Sequence, residues 1–340
     1  MTPRTINLAL QGGGAHGAFT WGVLDRLLED EGIVLEGISG TSAGAVNAVV
    51  LAQGFADGGA AGARRALDAF WNDLSTFAPF SPAQRSFVDW LTGNWNLDRS
   101  PATVLFDMFT RLVSPYEGNP ANLNGLRHLL AERIDLERVR NCRELKLFIS
   151  ATSVRTGKGR VFQGPEITLD AILASACLPT VFQAVTIDGE PYWDGGYMGN
   201  PAIWPLIYGC DSRDVVVVQV NPLVREETPR SSAEIMNRLN EITFNSALIG
   251  EMRAIATVQR LIEHGELTGG ATARLKKMLI HLIADADEMR GLGVASKFNL
   301  HRDFLQHLKA VGRNAAARWL DLNRDRLGSE SSIDIRTTFL

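Results

Sequence analysis

Residues 8–19, LALQGGGAHGAF, contain the turn that decides the fold. An apolar run at 6–11 with the character of a buried strand enters three successive glycines, and a run with helical spacing follows at 17–30. Where a strand passes through a glycine turn into a helix, backbone N–H groups converge at the helix N-terminus and stabilise negative charge. The stretch therefore predicts an anion-binding turn between the first strand and the first helix.

The alternation of strands and helices continues along the chain. Apolar runs typical of strands occur at 33–39, 145–154, 184–189, 214–220 and 277–284, and several are apolar throughout. Such strands, separated by helices, favour a mainly parallel sheet that is covered on both faces. We therefore expect an α/β fold.

The domain organisation is predicted from the same patterns. We divide the chain into a catalytic core at 1–225 and a mostly helical C-terminal extension at 226–340 that packs on the same domain. Residues 54–66, GFADGGAAGARRA, are rich in Gly and Ala, and we expect them to form a flexible surface connection.

Composition restricts the classes of partner. The chain has 340 residues, 45% of them hydrophobic, and a formal net charge of −4, with Lys and Arg scattered along it. That distribution argues against nucleic acid as a partner. The three cysteines, Cys142, Cys177 and Cys210, form no CxxC pair, which argues against a disulfide framework and against a zinc or other metal site.

Location is predicted from the cysteines and from the apolar runs. An odd number of unpaired cysteines favours a reducing compartment. The N-terminus has no signal-peptide pattern, and no apolar run approaches the roughly 18 residues of a membrane span. We therefore expect a cytoplasmic protein whose membrane contact, if any, is peripheral, at a membrane or at a lipid or polyester body.

The glycine turn also matches G-x-G-x-x-G at Gly12, Gly14 and Gly17, a dinucleotide-binding pattern. Glu36 lies near the position of the acid that binds the ribose in such proteins. A turn whose glycines only allow close packing of strand and helix is a further alternative. A dinucleotide-binding protein therefore stays open as an alternative function.

A second glycine motif follows at 40–44, where Ser42 lies at the centre of G-x-S-x-G between a strand and a helix. On such a tight turn the hydroxyl is exposed, while Gly40 and Gly44 give the turn room and let a substrate approach. The alternative is that Ser42 is only the N-cap of the helix. The motif predicts a nucleophilic serine.

A nucleophilic serine needs a base and a site for the oxyanion. Backbone N–H groups of Gly12, Gly13 and Gly14 are candidates for the oxyanion site. The conspicuous acid is Asp194, because Gly195 and Gly196 after it would let its carboxylate approach another group closely. An ordinary Asp-Gly turn between two strands is the alternative.

No histidine after Ser42 lies in a glycine-flanked turn. Four of them occur in helical, charged stretches or in an apolar strand, and we interpret each as structural: His264, His281, His301 and His307.

Taken together, these motifs resemble the patatin-like phospholipase family, in particular its bacterial acyl hydrolases. The resemblance rests on the glycine loop at 12–17, the serine motif at 40–44, SACLPTVFQAV at 175–185 and DGGYMGNP at 194–201. They occur in the family's order, and the similar region covers about residues 5–222.

The resemblance implies a three-layer α/β/α fold and hydrolysis of acyl esters, commonly of lipids. It implies a Ser42–Asp194 dyad without histidine, with the oxyanion held by the backbone of Gly12, Gly13 and Gly14. No metal or organic cofactor is required by such a dyad. Oligomeric state is not predicted.

Two residues of this predicted site need particular surroundings. An ordinary aspartate is a weak base at pH 7, so Asp194 must be partly desolvated and within reach of Ser42. His16 stands where family members often carry Arg or Lys. We hypothesise that His16 is a partly charged, polar residue of the loop, and a structural side chain is the alternative.

The substrate class is predicted only broadly. Residues 77–109 are dense in aromatic side chains that would form a lid, an acyl-binding wall or a lipid contact, or else pack in the core: Phe77, Phe80, Phe87, Trp90, Trp95, Phe106 and Phe109. Phospholipids, soluble fatty-acyl esters and an intracellular polyester such as polyhydroxyalkanoate all stay open as substrates.

Overall fold

Strands and helices alternate along the part of the chain that can be described. The computed structural model describes residues 3–85, 89, 91, 93–98, 100–266 and 275–340. Its strands are β1 (Arg4–Leu10), β2 (Ile33–Gly40), β3 (Lys146–Ser153), β4 (Gly159–Gln163), β5 (Val185–Ile187), β6 (Glu190–Asp194), β7 (Asp214–Val218) and β8 (Leu279–Ile283).

The described helices differ widely in length. They are α1 (Gly17–Leu27), α2 (Ala43–Ser75), α3 (Pro101–Leu112), α4 (Pro115–Gly118), α5 (Gly125–Arg133), α6 (Leu136–Asn141), α7 (Leu169–Ser175), α8 (Trp204–Gly209), α9 (Ser232–Glu263), α10 (Ala286–Arg290), α11 (Arg302–Asn323) and α12 (Ile335–Phe339). Among the described residues, none of these helices combines the length and the apolar character needed to cross a bilayer.

The strands form one mixed sheet. Its order is β5-β6-β3-β2-β1-β7-β8, and β4 also pairs with β3. The neighbours β3-β2-β1-β7-β8 are parallel to one another, whereas β4, β5 and β6 are added in antiparallel fashion. The predicted α/β fold with a mainly parallel sheet is confirmed.

Alternate side chains of β7 show that both faces of the sheet are covered. Val216 and Val218 belong to the core beneath α1, α2 and α11. Val215 and Val217 belong to the opposite core, beneath α9 and α12. All four valines are completely buried, as expected for a central parallel strand. Three layers, helices on a sheet on helices, are therefore present.

The residues after 225 are built into these layers. β8 pairs in parallel with β7, so part of the extension lies in the central sheet. Helix α11 packs along α1 so closely that a Cβ atom on Gly22 would overlap the backbone of Lys309, and one on Gly312 would overlap that of Phe19. Two glycines thus set the distance between these helices.

The expectation of a flexible connection at 54–66 is wrong. These residues lie within α2, whose helical geometry is broken only at Gly58 and Gly59, where φ of Gly59 is 58°. The chain turns there, and the two helical parts pack against each other with Gly54 and Gly62 in backbone contact and buried. Small side chains allow close helix packing here. A segment rich in Gly and Ala can be either a packed helix of this kind or a flexible linker, and composition alone does not distinguish them.

The predicted strands agree with the observed ones apart from their ends, whereas β4 and β6 have no counterpart among the predicted apolar runs. β4 is only five residues long, and Phe162 is its single buried residue. Its sequence therefore lacks the continuous apolar run that marks the central strands.

Candidate active site

The two glycine motifs meet at the carboxyl ends of β1 and β2. Leu10 and Gly40 are partners at the end of the parallel pair, so the turns that follow emerge side by side. A Cβ atom on Gly12 would lie 2.7 Å from the Cβ atom of Ser42. Only a glycine lets the first turn approach the serine so closely, and this edge is where open α/β sheets bind ligands.

Ser42 occupies a strained turn between β2 and α2. Its φ of 54° and ψ of −122° are rare for a residue with a side chain. A side chain on Gly44 would overlap the backbone of Leu10, and one on Gly40 would meet the Gly44 carbonyl at 2.5 Å. Ser42 stands at the N-cap position of α2, but its hydroxyl makes no capping hydrogen bond to the helix, so capping does not explain the serine.

Asp194 ends β6 and lies in the interior. Its residue is fully buried, and β6 pairs with β3, the neighbour of β2. Oδ1 accepts the N–H of Gly196 at 2.7 Å, and the Asp194 N–H donates to the Cys177 carbonyl at 2.8 Å. A short 3₁₀ turn, Gly195–Tyr197, follows instead of a second strand, so the interpretation as a plain turn between strands is wrong.

Small residues after Asp194 let its backbone turn inside the core. A Cβ atom on Gly195 would overlap the Ser150 carbonyl, and one on Gly196 would overlap the Phe244 ring. The second carboxylate oxygen, Oδ2, is buried and makes no hydrogen bond within standard limits to any described residue. It is therefore available as a proton acceptor.

The electrostatics of Asp194 suit a base. Burial raises the pKa of its carboxyl to about 6, although the Gly196 amide, the Ser42 hydroxyl and the charge of Lys297 act to lower that pKa. The Ser42 hydroxyl is thus among the groups that stabilise the carboxylate, although the pair does not reach the limits of a standard hydrogen bond. Catalytic hydrogen bonds are often long before substrate binds. Asp194 therefore has the desolvated position that the sequence-based prediction of a base requires.

Hydroxyl groups from neighbouring elements hold the serine turn. The Ser42 N–H donates to Ser175 Oγ at 2.9 Å, and Thr41 Oγ1 donates to the Gly199 carbonyl at 2.5 Å and contacts Ser150 Oγ at 2.5 Å. These roles were not predicted from the sequence. Ser175 and Gly199 do fall in the quoted segments 175–185 and 194–201, which was the one available signal.

The glycine loop is held by amide side chains. The Gly12 N–H donates to Asn200 Oδ1 at 2.7 Å, and its carbonyl accepts from Asn221 Nδ2 at 3.0 Å. Among the described residues, no partner is found for the N–H groups of Gly13 and Gly14. Because the Gly12 N–H is already bonded to Asn200, the N–H groups of Gly13 and Gly14 are the remaining candidates for stabilising an oxyanion.

His16 makes a polar contact in the loop, as hypothesised, but it is not partly charged. Its ring is buried, and Nε2 forms a 2.8 Å hydrogen bond with Ser296 Oγ. Burial, and then the positive charge of Lys297, lower the pKa of His16 to about 3. His16 is thus neutral and structural. Gly17, next to it, allows the start of α1 to touch α2, since a Cβ atom there would lie 2.7 Å from that of Ala43.

The positively charged side chain next to the glycine loop is Lys297 and not His16. Lys297 belongs to the 3₁₀ turn Val294–Phe298, which contacts the Gly14–His16 turn. It lies more than 250 residues after Ser42 in a stretch without a motif, GLGVASKFNL at 291–300, so no local signal could have identified it.

The later histidines have structural partners. His281 Nε2 bonds Asp214 Oδ1 at 2.9 Å in the core, and His307 Nε2 bonds Glu288 Oε1 at 2.7 Å. His301 contacts Gln84, and His264 ends α9. These contacts agree with the interpretation of the four residues as structural.

Glu36 is engaged away from the glycine loop. Its carboxylate accepts from Lys146 Nζ at 2.9 Å and from the N–H groups of Asp211 and Ser212 at 2.7 and 2.8 Å. It also lies four residues before the end of β2, roughly 13 Å back along the strand. This geometry disagrees with its predicted role as a ribose-binding acid.

The aromatic side chains of the segment 77–109 are divided between packed and exposed positions. Phe77 packs against the main core, Trp95 contacts Phe304, and Phe106 contacts Phe298. Two others point outward: 85% of Phe80 and 48% of Phe109 is exposed. The predictions for Phe87 and Trp90 fall outside the described residues.

The sequence of the chain also matches a known protein family, independently of the geometry of the site. The model of the patatin-like phospholipase family matches residues 8–207, more than half of the chain. The chain belongs to the patatin-like phospholipase family. The resemblance drawn from the motifs is confirmed, and membership supports a lipid acyl hydrolase in general terms. Lys297 lies outside the matched region.

Two solved structures are similar to this chain. VipD from Legionella pneumophila is 16% identical with a TM-score of 0.37, and 91% of this chain covers 67% of that one. The type III effector protein ExoU is 16% identical with a TM-score of 0.34, and 94% of this chain covers 53% of that one. The chain thus spans about two thirds and about half of these proteins. A comparison with curated proteins gave no match.

Proposed function

We propose that this patatin-like chain is a serine-dependent acyl-ester hydrolase in which Ser42 is the nucleophile and Asp194 the general base. The observation that carries the proposal is the position of Ser42, on a strained turn against the glycine loop and close to a buried aspartate whose pKa is about 6. A base with that pKa is largely deprotonated at pH 7 yet stronger than an exposed aspartate.

The proposed reaction has two steps. Asp194 takes the hydroxyl proton as Ser42 Oγ attacks the ester carbonyl, while the N–H groups of Gly13 and Gly14 stabilise the oxyanion. Collapse of the tetrahedral intermediate expels the alcohol, which receives the proton from Asp194. Water then attacks the acyl-enzyme, gives its proton to Asp194, and the acid product leaves as Ser42 regains a proton. Neither step requires a metal or an organic cofactor.

The test is hydrolysis of p-nitrophenyl esters of increasing acyl length. Ser42→Ala is expected to lower kcat by up to about a millionfold, and Asp194→Asn by about 10²–10⁴-fold, because they remove the nucleophile and the base. Ser246→Ala, at an exposed serine of α9, is the control. Circular dichroism checks that every variant is folded. Full activity in a folded Ser42→Ala protein would refute the proposal.

The substrate is proposed at the level of its chemistry, an acyl ester of a lipid or a polyester. The chain-length optimum of the same assay, followed by phospholipid vesicles and polyhydroxyalkanoate granules, separates the substrate classes. The dinucleotide alternative predicts absorbance or fluorescence from a bound nicotinamide or flavin in the purified protein, and the engagement of Glu36 argues against it.

We also propose peripheral contact with a lipid or polyester surface through α3. No described residue of this helix is buried, and it exposes 70% of Leu105 and 79% of Leu112. The helix is joined to the site through Phe106, whose ring contacts Phe298, the residue after Lys297. The cytoplasmic location stays a prediction from the sequence.

A further inference from the structure

Lys297, in the C-terminal part of the chain, donates a hydrogen bond to one of the asparagines that hold the glycine loop. Its ammonium Nζ donates to Asn221 Oδ1 at 2.9 Å and to Asn240 Oδ1 at 2.7 Å. Nζ also lies 5.3 Å from the centre of the Phe244 ring, whose face attracts a cation. The charge is therefore held by fixed neutral partners rather than by a directly bonded carboxylate.

Asn221 connects this charge to the loop. Its Nδ2 donates to the Gly12 carbonyl at 3.0 Å, while its Oδ1 accepts from Lys297. The Gly12 carbonyl and the Gly13 N–H belong to one peptide group, so a donor on the oxygen polarises the N–H on the other side. Hydrogen bonds in such a chain strengthen one another. The ammonium thus makes the Gly13 N–H a better donor.

The segment around Lys297 also fixes the loop sterically. The Lys297 carbonyl lies so close to Gly14 that a Cβ atom on that glycine would overlap it. Ser296 Oγ bonds His16 Nε2 at 2.8 Å on the other side of the turn. Backbone and side chain of one short turn thereby hold both ends of the Gly14–His16 segment.

Charged and titratable groups face Lys297 from several elements. Glu241 on α9 and Asp194 at the end of β6 act to raise the pKa of Lys297, but desolvation outweighs them and lowers that pKa to about 8. His16 is neutral, and Asp98 accepts the Ala295 N–H at 3.1 Å at the start of the same turn. Lys297 is therefore charged at pH 7.

We propose that Lys297 is a positioning residue for the hydrolysis, whose ammonium acts through Asn221 to hold and polarise the Gly12–Gly13 peptide for the oxyanion. The proposal rests on the proposed function, because it needs an oxyanion beside Gly13. It assigns the positive charge of this region to the C-terminal extension, in place of a residue within the glycine motif. Its effect is largest in the transition state, where the oxyanion develops.

The first test compares Lys297→Met with Lys309→Met. Lys309 is a matched control, since it is also partly buried, bonds a neighbour (Asp68 at 2.8 Å) and lies over an aromatic ring (Trp21 at 4.1 Å), but on α11. Lys297→Met is expected to lower kcat by about ten- to a hundredfold with KM little changed, less than the 10²–10³-fold cost of losing an oxyanion donor outright. Equal kcat in the two variants would overturn the proposal.

The second test uses pH, which a purely structural role would not affect. In wild type, kcat should fall above about pH 8, where Lys297 loses its proton. Lys297→Arg should keep activity and extend it to higher pH, because guanidinium stays charged. Lys297→Met should lack this basic limb. An unchanged basic limb in both variants would contradict the inference even if one of them folds poorly.

The third test addresses the connection through Asn221. If Lys297 and Asn221 act in one chain, the double variant Lys297→Met/Asn221→Leu should lose little more kcat than the more impaired single variant. Losses that multiply would show independent actions and overturn the relay.

Labelling by a fluorophosphonate, detected by mass spectrometry, separates failure of this inference from failure of the proposed function. Absence of labelling at Ser42 in wild type would overturn both. Labelling at Ser42 that proceeds equally fast in Lys297→Met and Lys309→Met would leave the nucleophile in place and overturn the role of Lys297 alone.

Discussion

At Asp194, burial and hydrogen bonding act on one carboxylate in opposite directions. Desolvation favours the neutral acid, whereas the Gly196 amide and the Ser42 hydroxyl favour the carboxylate, and desolvation is the larger effect. The same burial that costs folding free energy makes the group a usable base near neutral pH. A strained serine and a desolvated aspartate are both locally unfavourable, as is typical of functional sites.

The acid limb of the pH–rate profile follows from this balance. A base must be deprotonated to act, so kcat/KM on a neutral p-nitrophenyl ester should fall as pH drops through about 6 and be roughly tenfold below its plateau at pH 5. His16 does not contribute, because its pKa is near 3. Initial rates between pH 4.5 and 7.5 measure the limb. A constant kcat/KM between pH 5 and 7 would contradict the assignment of Asp194.

Ser42 and Asp194 could be predicted because each lies among glycines that are close together in the sequence. Gly40 is constrained by its own turn, at the Gly44 carbonyl, whereas Gly44 and Gly196 are constrained by Leu10 and Phe244, which only the fold brings near. Lys297 and Asn221 reach the loop only through folding, and no motif in the sequence marks either of them.

At the scale of elements, the ends of β1 and β2 bring the two glycine motifs together, and α2 starts directly at the serine. The parallel register of these strands makes the meeting of the motifs predictable. Helix α3 is different: its sequence favours a helix, but its exposed apolar face shows that the described protein does not bury it.

If α3 contacts a lipid surface, substitutions on its exposed apolar face should weaken binding to vesicles without changing the rate of ester hydrolysis. Leu105→Glu/Leu112→Glu should lower association with phosphatidylcholine vesicles at least about tenfold, since each exposed leucine contributes about 1.5–3 kcal/mol when buried in an apolar phase. Hydrolysis of a short, soluble ester should be unchanged. Sedimentation with vesicles measures the binding.

Leu322→Glu is the matched control for this experiment. It adds one negative charge, half of that added by the double variant, at a leucine that is 76% exposed but lies near the end of α11. Equal loss of vesicle binding in the control would mean that added negative charge, and not the α3 face, is responsible.

At the scale of the whole molecule, the C-terminal extension belongs to the same layers as the catalytic core. It supplies β8 at the edge of β7, the helix α9 over Val215 and Val217, and α11 along α1. The glycine loop is therefore supported by residues that the sequence separates from it by more than 200 positions.

Truncation tests this arrangement. A chain of residues 1–225 should fail to fold cooperatively, because it exposes the edge of β7 and the apolar faces that α9 and α11 cover. Expression, near-ultraviolet circular dichroism and thermal unfolding provide the measurements. A soluble truncated chain with a cooperative transition would indicate that 1–225 is an independent unit.

The sequence by itself determined the α/β fold, the family and the two residues proposed for chemistry, because hydrophobic periodicity and clusters of glycine are recognisable within a few neighbouring positions. Only the tertiary structure decided that residues 54–66 are packed helix, that His16 is neutral, that Glu36 is engaged elsewhere and that Lys297 bonds the asparagine that holds the glycine loop. Burial and long-range hydrogen bonds determine these properties, and both depend on residues far apart in the chain.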